Sequence, residues 1–245
     1  MNKDAPMLLS HFINIPLVKT TLCGCALIFS TSLMAQDFQL MEESEIDERL
    51  SYLEARLNEI QTPSTYWQYG WTGFYGASAL AQAYKANDED DSDESTKLWV
   101  GAVKSTGGFA MMMLKPLPVV AGWDEYQMLP GNNRAEKLAR LAEAEKMLEQ
   151  SAWRADERYT LKPHLIGVGV NLLGAAAIAA WGDSGDALGS AALGIAISEA
   201  AIWTQPDAAR EGWDGYQQQF NEAEKSAFNW RIVPGFNSVS LQVTF

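Results

Sequence analysis

The chain contains the same phrase twice. Pro116 is followed six residues later by GWDEYQ (122–127), and Pro206 is followed six residues later by GWDGYQ (212–217). The two copies lie 90 residues apart, six of the twelve paired positions are identical, and one of the six is a tryptophan. Such a repeat indicates an internal duplication, so we expect two similar units that pack together in one fold.

The residues before each copy follow one plan. An amphipathic segment comes first, and its apolar residues recur at the spacing of a helix that packs on a partner helix. These residues are Ile46, Leu50, Leu53, Leu57 and Ile60 in the first half, and Leu138, Leu141 and Leu148 in the second. We expect Pro63 to end the first amphipathic helix, because proline cannot continue one.

Two almost uncharged stretches follow each amphipathic segment. They cover 66–84 and 98–114 in the first half, and 165–181 and 187–203 in the second. The pattern predicts an all-α fold. We expect a helical bundle from two duplicated units, each an amphipathic helix plus a hydrophobic helical hairpin, with internal repeats at 46–127 and 134–217.

The N-terminus has the pattern of a secretory signal peptide at 1–35. Lys3 and Lys19 precede an uncharged run from Thr20 to Met34, and the small residue Ala35 follows. Processing as a lipoprotein within the sequence LCGC (22–25) is the alternative. Removal of the leader leaves a helical domain at 36–228.

The mature chain lacks most residues of nucleophilic and metal chemistry. Cys23, Cys25 and His11 all lie in the leader, and His164 is the one histidine that remains. A disulfide, a cysteine nucleophile and a Cys/His metal site are therefore excluded, and we expect a protein that is not an enzyme and has no cofactor or metal. The residues after 35 include 16 basic and 30 acidic ones, a net charge of −14 that disfavours nucleic acid as a partner.

The C-terminal residues alternate as in a β-strand. The alternation covers Val239, Leu241, Val243 and Phe245, and it predicts a β-strand or hairpin tail at 229–245. A strand that ends in a terminal Phe resembles the C-terminal assembly signal of Gram-negative outer-membrane barrel proteins, although no glycine lies near its middle. The resemblance implies a Gram-negative cell envelope, on the periplasm side or associated with the outer membrane. The interpretation that we favour for the tail is nevertheless a plain hairpin or edge strand laid on the bundle.

The apolar stretches could pack inside the protein or cross a membrane. Their aromatic ends favour crossing, but each stretch is at the short end of what a span needs. Lys104 and Glu199 would each cost about 2.5–3.5 kcal/mol at a bilayer centre, unless the two pair with each other, snorkel or face water. The acidic loops at 85–97 and 182–186 would also face the cytoplasm, against the usual charge bias. We expect the hairpins to be buried in the protein's own core, with a small four-helix integral membrane protein as the alternative.

The repeated phrase supplies the candidate site residues, which are Trp123, Asp124, Tyr126, Trp213, Asp214 and Tyr216. Together they could form an aromatic cage with paired carboxylates. The spacing from each Asp to the Gln three residues later also fits a capping box, and we expect this structural role. The predicted function is non-catalytic, a structural or protein-interaction role with an unknown envelope protein. The alternative is a binding module that encloses a lipid or other apolar ligand between its hairpins.

Overall fold

The structure is a computed structural model, and it describes residues 41–221, 229–234 and 239–244. The predicted signal peptide and the terminal Phe245 lie outside the described residues. The helices are α1 (Glu43–Asn87), α2 (Ser92–Leu114), α3 (Pro118–Gln127), α4 (Arg134–Asp156), a 3₁₀ turn (Glu157–Tyr159), α5 (Leu161–Trp181), α6 (Ser184–Trp203), α7 (Ala208–Tyr216) and a π-helical turn (Gln217–Asn221). The predicted all-α class is confirmed for residues 41–221.

Two strands follow the helices. They are β1 (Asn229–Pro234) and β2 (Val239–Thr244), and they pair antiparallel with Asn229 opposite Thr244 and Pro234 opposite Val239.

The first part of α1 and the whole of α4 form the centre of a helical bundle. The predicted seam of α1 is confirmed, because all five of its apolar residues from Ile46 to Ile60 are buried. Lys137 binds Asp47 near the start of both helices, and Ile60 and Ser151 line one small cavity further along. The two helices therefore run side by side in the same direction. The short helices α3 and α7 pack against them.

Pro63 does not end the first helix, so that prediction is wrong. The helix α1 continues through Pro63 for 45 residues, with Pro63 on its exposed side. Proline removes one backbone N–H and its ring disfavours the preceding turn. Packing on both sides of the proline outweighs this local cost, since Ser64 and Gln68 are buried directly after it.

Each hydrophobic hairpin is closed by a short turn with an aspartate at its end. Asp91 caps α2 by accepting hydrogen bonds from the backbone N–H groups of Asp93 and Glu94, both at 2.9 Å. Asp183 caps α6 by accepting from Gly185 N at 2.8 Å. These caps satisfy N–H groups that a helix leaves unpaired at its start.

Each hairpin is also tied to the bundle at its other end. Gln68 donates to the carbonyl of Met112 at 2.6 Å and accepts from Leu117 N at 3.1 Å, which holds the end of α2. Arg158 makes the matching connection in the second half, where it bonds the carbonyl of Gln205 and the side chain of Asp207. Both anchoring residues are buried, so each hairpin leaves the bundle from a defined point.

The hairpins expose their large apolar side chains, which corrects the prediction that they are buried in the protein's own core. Of the nine largest fully buried side chains in the described part of the chain, eight lie in the bundle and one, Ile178, lies in a hairpin. The other buried apolar residues of the hairpins are alanines. Leu173 is 73% exposed and Trp181 76% exposed. Alanine and glycine allow the hairpin helices to approach one another, and the leucines and aromatics are left pointing away.

Candidate functional site

The repeated phrase lies inside two short helices. GWDEYQ occupies the second half of α3, and GWDGY ends α7. The N-cap residues of these helices are Leu117 and Asp207, so Asp124 and Asp214 do not cap them and the capping prediction is wrong. Both helices start earlier in the chain, with Pro118 and Ala208 as their first residues. Proline and alanine are well tolerated at the start of a helix.

Among the described residues, the two tyrosines of the phrase are the largest fully buried side chains. The phenol of Tyr216 donates to Glu145 on α4, and the buried Arg49 on α1 donates to the same phenol oxygen at 3.4 Å. The guanidinium of Arg49 also lies 6.0 Å from the centre of the Tyr216 ring and 4.0 Å from Glu145. A tyrosine, a glutamate and an arginine thus form one cluster that joins α7, α4 and α1.

Tyr126 stands in an equivalent cluster. Its phenol donates to Glu54 on α1 at 3.0 Å, and Arg140 on α4 binds the same carboxylate at 2.6 Å. The Arg140 guanidinium lies 4.7 Å from the centre of the Tyr126 ring. In both clusters the glutamate comes from the tyrosine's own half of the chain and the arginine comes from the other half. The two clusters therefore cross-link the halves.

The remaining residues of the phrase have different positions. Trp123 and Trp213 are partly buried, and each contacts the tyrosine of its own copy at ring-centre distances of 6.1 and 5.6 Å. Asp124 and Asp214 are exposed. The ring contacts thus run within each copy, and the carboxylates that lie beside the tyrosines are those of Glu54 and Glu145.

The electrostatics of both clusters keep the phenols protonated. Burial raises the pKa of Tyr126 and of Tyr216 well above the usual range, and the neighbouring glutamates raise it further. Each phenol is therefore a neutral hydrogen-bond donor to a glutamate side chain, and an arginine lies beside each of these glutamates. Such an arrangement fixes helices against one another.

The glutamates and arginines of the two clusters were not predicted from the sequence, although a signal for them exists. Arg49-Leu-x-x-x-Glu54 in the first amphipathic segment recurs as Arg140-Leu-x-x-x-Glu145 in the second, 91 residues later. The arginines and glutamates of this Arg-Leu-x-x-x-Glu repeat are the residues that contact the tyrosines of the two GWDxYQ copies.

A second feature is a groove of about 1870 Å³ between the hairpins. Its walls come mainly from α2, α5 and α6. They are largely apolar, with a polar cluster half-way along. There the amine of Lys104 donates to Asn171 Oδ1 at 3.3 Å and to Ser190 Oγ at 3.1 Å. Asn171 donates in turn to Ser198 Oγ at 3.2 Å.

Lys104 and Glu199 do not pair, so that sequence alternative is wrong. Glu199 lies near the bundle end of α6, where it binds His164 Nδ1 at 2.8 Å and accepts from Trp203 Nε1 at 3.0 Å. His164 is in the first turn of α5, and its other ring nitrogen contacts the carbonyl of Arg158 at 2.8 Å. Glu199 therefore closes the base of the second hairpin.

Metal binding has no candidate in the described part of the chain, where no three His, Cys, Asp or Glu residues are grouped to hold an ion. The comparisons add no relative: no protein-family model, curated protein or solved structure matches this chain.

Proposed function

We propose that this protein is a small integral membrane protein of the cell envelope, with four spanning helical segments and a polar helical bundle beside the membrane. The observation that carries the proposal is the exposure of the apolar hairpins. Two stretches, Leu161–Trp181 and Ser184–Phe220, are long and apolar enough to cross a membrane, and 17% of each apolar window is buried. Core helices of soluble proteins pass the same length test, but they are mostly buried. Helices this exposed need another apolar environment.

The lengths of the hairpin helices suit a bilayer. The helix α5 has 21 residues and α6 has 20, which corresponds to about 30 Å at roughly 1.5 Å per residue. A hydrocarbon core is about 30 Å thick. The C-terminal part of α1 and most of α2 form the other hairpin, which is somewhat more polar.

The exposed tyrosines and tryptophans of the hairpin helices form two groups, one at each end of the hairpins. Tyr66, Tyr69 and Trp203 lie at the bundle end, and Tyr84, Trp99 and Trp181 lie near the turns, all of them about half or more exposed. Tryptophan and tyrosine favour the two membrane–water interfaces, where the ring is in an apolar layer and its polar atom reaches water. Two such groups support a span between them.

The role that we propose is non-catalytic: structural, or interaction with another envelope protein. The buried tyrosine clusters support it, because their charged groups bond to the phenols and to one another and so hold the helices together. We also propose a location in a Gram-negative envelope, on the periplasm side or associated with the outer membrane. The uncharged run from Thr20 to Met34 and the alternating residues Val239, Leu241, Val243 and Phe245 support it.

We also propose that the two halves arose by duplication. The paired clusters support this, because Arg49 and Arg140, and likewise Glu54 and Glu145, stand 91 positions apart. The hairpin anchors Gln68 and Arg158 are 90 apart. In this proposal the long helix α1 corresponds to α4 and α5 together, and the chain ends in a short β tail at 229–245.

A lipid-binding role is the second candidate. The groove between the hairpins favours it, since its volume of about 1870 Å³ exceeds the roughly 300–1,000 Å³ of a typical small-molecule site. In that case the hairpins would enclose an apolar ligand instead of crossing a bilayer.

Alkaline carbonate extraction of native membranes tests the first proposal. We expect the full-length protein to stay in the membrane pellet and to enter solution only with detergent, because four apolar helices are held by the bilayer itself. A known peripheral protein and a known spanning protein in the same sample are the controls. Release by carbonate, together with a retained lipid in native mass spectrometry, would transfer the assignment to the lipid-binding candidate.

A further inference from the structure

Lys104 is a cation in an apolar environment with neutral partners. It lies near the middle of α2, and its amine contacts the side chains of Asn171 and Ser190 and the Ser190 carbonyl. Within residues 41–221 no carboxylate lies within ion-pair distance of it. An ionisable residue inside a membrane span is costly, so such residues usually have a partner or a function.

The polar cluster is built into the fold and keeps the amine in the groove. Gly194 on α6 makes room for it, because an added Cβ there would lie 1.8 Å from Asn171 Oδ1 and 3.2 Å from the Lys104 amine. Asn171 is fixed in turn by bonds to the Gly167 carbonyl and to Ser198. The amine is thus held at mid-depth and does not extend to the membrane surface.

The groove around Lys104 has the length of a membrane-spanning segment. It runs from Lys97 and Asp186 near the turns to Lys115 at the end of α2. The distance from Lys97 to Lys115 is about 27 Å along a helix at roughly 1.5 Å per residue. Gly107 and Gly189 are among its lining residues, and neither an added Cβ at Gly107 nor one at Gly189 would meet another atom within 4 Å. Small residues on a wall let a neighbouring helix approach closely.

We propose that this groove receives a transmembrane helix of a partner protein, and that an acidic side chain at the middle of that helix binds Lys104. The depth of the negative charge in the membrane distinguishes a helix from a lipid as the occupant of the groove. A phospholipid carries its anionic group at the interface, about 15 Å from the bilayer centre. A helix carries a carboxylate to mid-depth as part of its sequence.

The chain's own segments do not supply this carboxylate. The apolar run from Thr20 to Met34 contains no acidic residue. In a second copy, Glu199 is the one acidic residue within the apolar part of α6, and it already binds His164. The inference rests on the proposed membrane embedding.

Synthetic spanning peptides of leucine and alanine provide the test. Three versions carry Asp, Asn or Leu at the centre and a fluorescent acceptor for the protein's tryptophans. The full-length protein is reconstituted in phosphatidylcholine vesicles, and energy transfer gives the affinity. We expect the Asp peptide to bind the unmodified protein about tenfold more tightly than the Leu peptide, with the Asn peptide between them.

The variants separate the mid-depth charge from other effects. Lys104→Met should abolish the preference for the Asp peptide, and Lys104→Arg should retain most of it. Lys115→Met removes a groove cation near the membrane surface and should leave the preference unchanged. Helix content by circular dichroism shows that each variant folds.

Several results would overturn the inference. One is equal binding of the three peptides to a protein that is fully inserted. Another is displacement of the Asp peptide by phosphatidylglycerol, which would assign the groove to a lipid. Formation of dimers that depend on Lys104 would assign it to a second copy. Failure of the protein to insert at all is seen first in the carbonate extraction, and it would refute the proposed function together with this inference.

Discussion

At the scale of single residues, Tyr126 and Tyr216 are the residues of the repeated phrase that connect the helices of the bundle. Each phenol reaches a glutamate on an amphipathic helix, and each glutamate is balanced by an arginine of the other half. Loss of either phenol hydroxyl would leave a partly buried carboxylate with one hydrogen bond fewer. We therefore assign the contribution of the repeated phrase to the free energy of unfolding to its tyrosines and not to its aspartates.

The variant Tyr216→Phe tests this contribution to stability. We expect it to lower the free energy of unfolding by about 1.5–3 kcal/mol, because it removes a hydrogen bond to a charged group. The Arg49 and Glu145 side chains of this cluster are 4% and 20% exposed, whereas that of Glu54 in the other cluster is 36% exposed. Tyr126→Phe should therefore cost less, about 1 kcal/mol.

Denaturant unfolding in mild detergent, followed by circular dichroism, measures both changes. The exposed Tyr69→Phe is the matched control and should leave stability unchanged, since Tyr69 is 63% exposed. A cost for Tyr216→Phe no larger than that of the control would contradict the assigned role.

At the scale of the elements, the sequence predicted helix content and helix faces better than helix ends. The seam of α1 and the paired turns after 87 and 181 are where the pattern placed them, because apolar periodicity and turn residues are local signals. The continuation through Pro63 and the early start of α3 and α7 were missed. Both depend on packing around the helix end, which a local rule does not contain.

Pro63→Ala tests whether α1 carries a local cost at its proline. We expect a gain of about 1–3 kcal/mol in the free energy of unfolding, because alanine restores one backbone hydrogen bond and removes the ring from the preceding turn. Pro118→Ala is the matched control, since Pro118 opens α3 at a position that suits proline, and its effect should be near zero or slightly destabilising. Thermal melts of the two variants in the same detergent give the comparison. A loss of stability in Pro63→Ala would mean that the proline itself sets a bend that the bundle needs.

At the scale of the whole molecule, the parallel arrangement of α1 and α4 sends both hairpins away from the bundle in one direction. The turns at 88–91 and 182–183 are then at the same end, about one helix length from the bundle. In a bilayer this arrangement places both turns on one side and the bundle on the other.

Single cysteines report this sidedness. With Cys23 and Cys25 replaced by serine, we introduce Glu89→Cys, Ser184→Cys or Glu149→Cys. These are exposed positions in the first turn, directly after the second turn and in the bundle. A membrane-impermeant maleimide is applied to sealed vesicles, with permeabilised vesicles as the reference. We expect the two turn positions to be both labelled or both protected, and the bundle position to give the opposite result. Equal labelling of all three positions from one side would exclude a spanning arrangement.

The sequence alone determined the helical class, the apolar faces of the amphipathic helices and the positions of two apolar hairpins, because each of these depends on neighbours a few residues apart. The tertiary structure decided two further matters. It exposed the hairpins instead of burying them, since an apolar helix has the same composition whether protein or another apolar medium surrounds it. It also brought Tyr126 to Arg140 and Tyr216 to Arg49, pairs that belong to different halves and meet only when the bundle has formed.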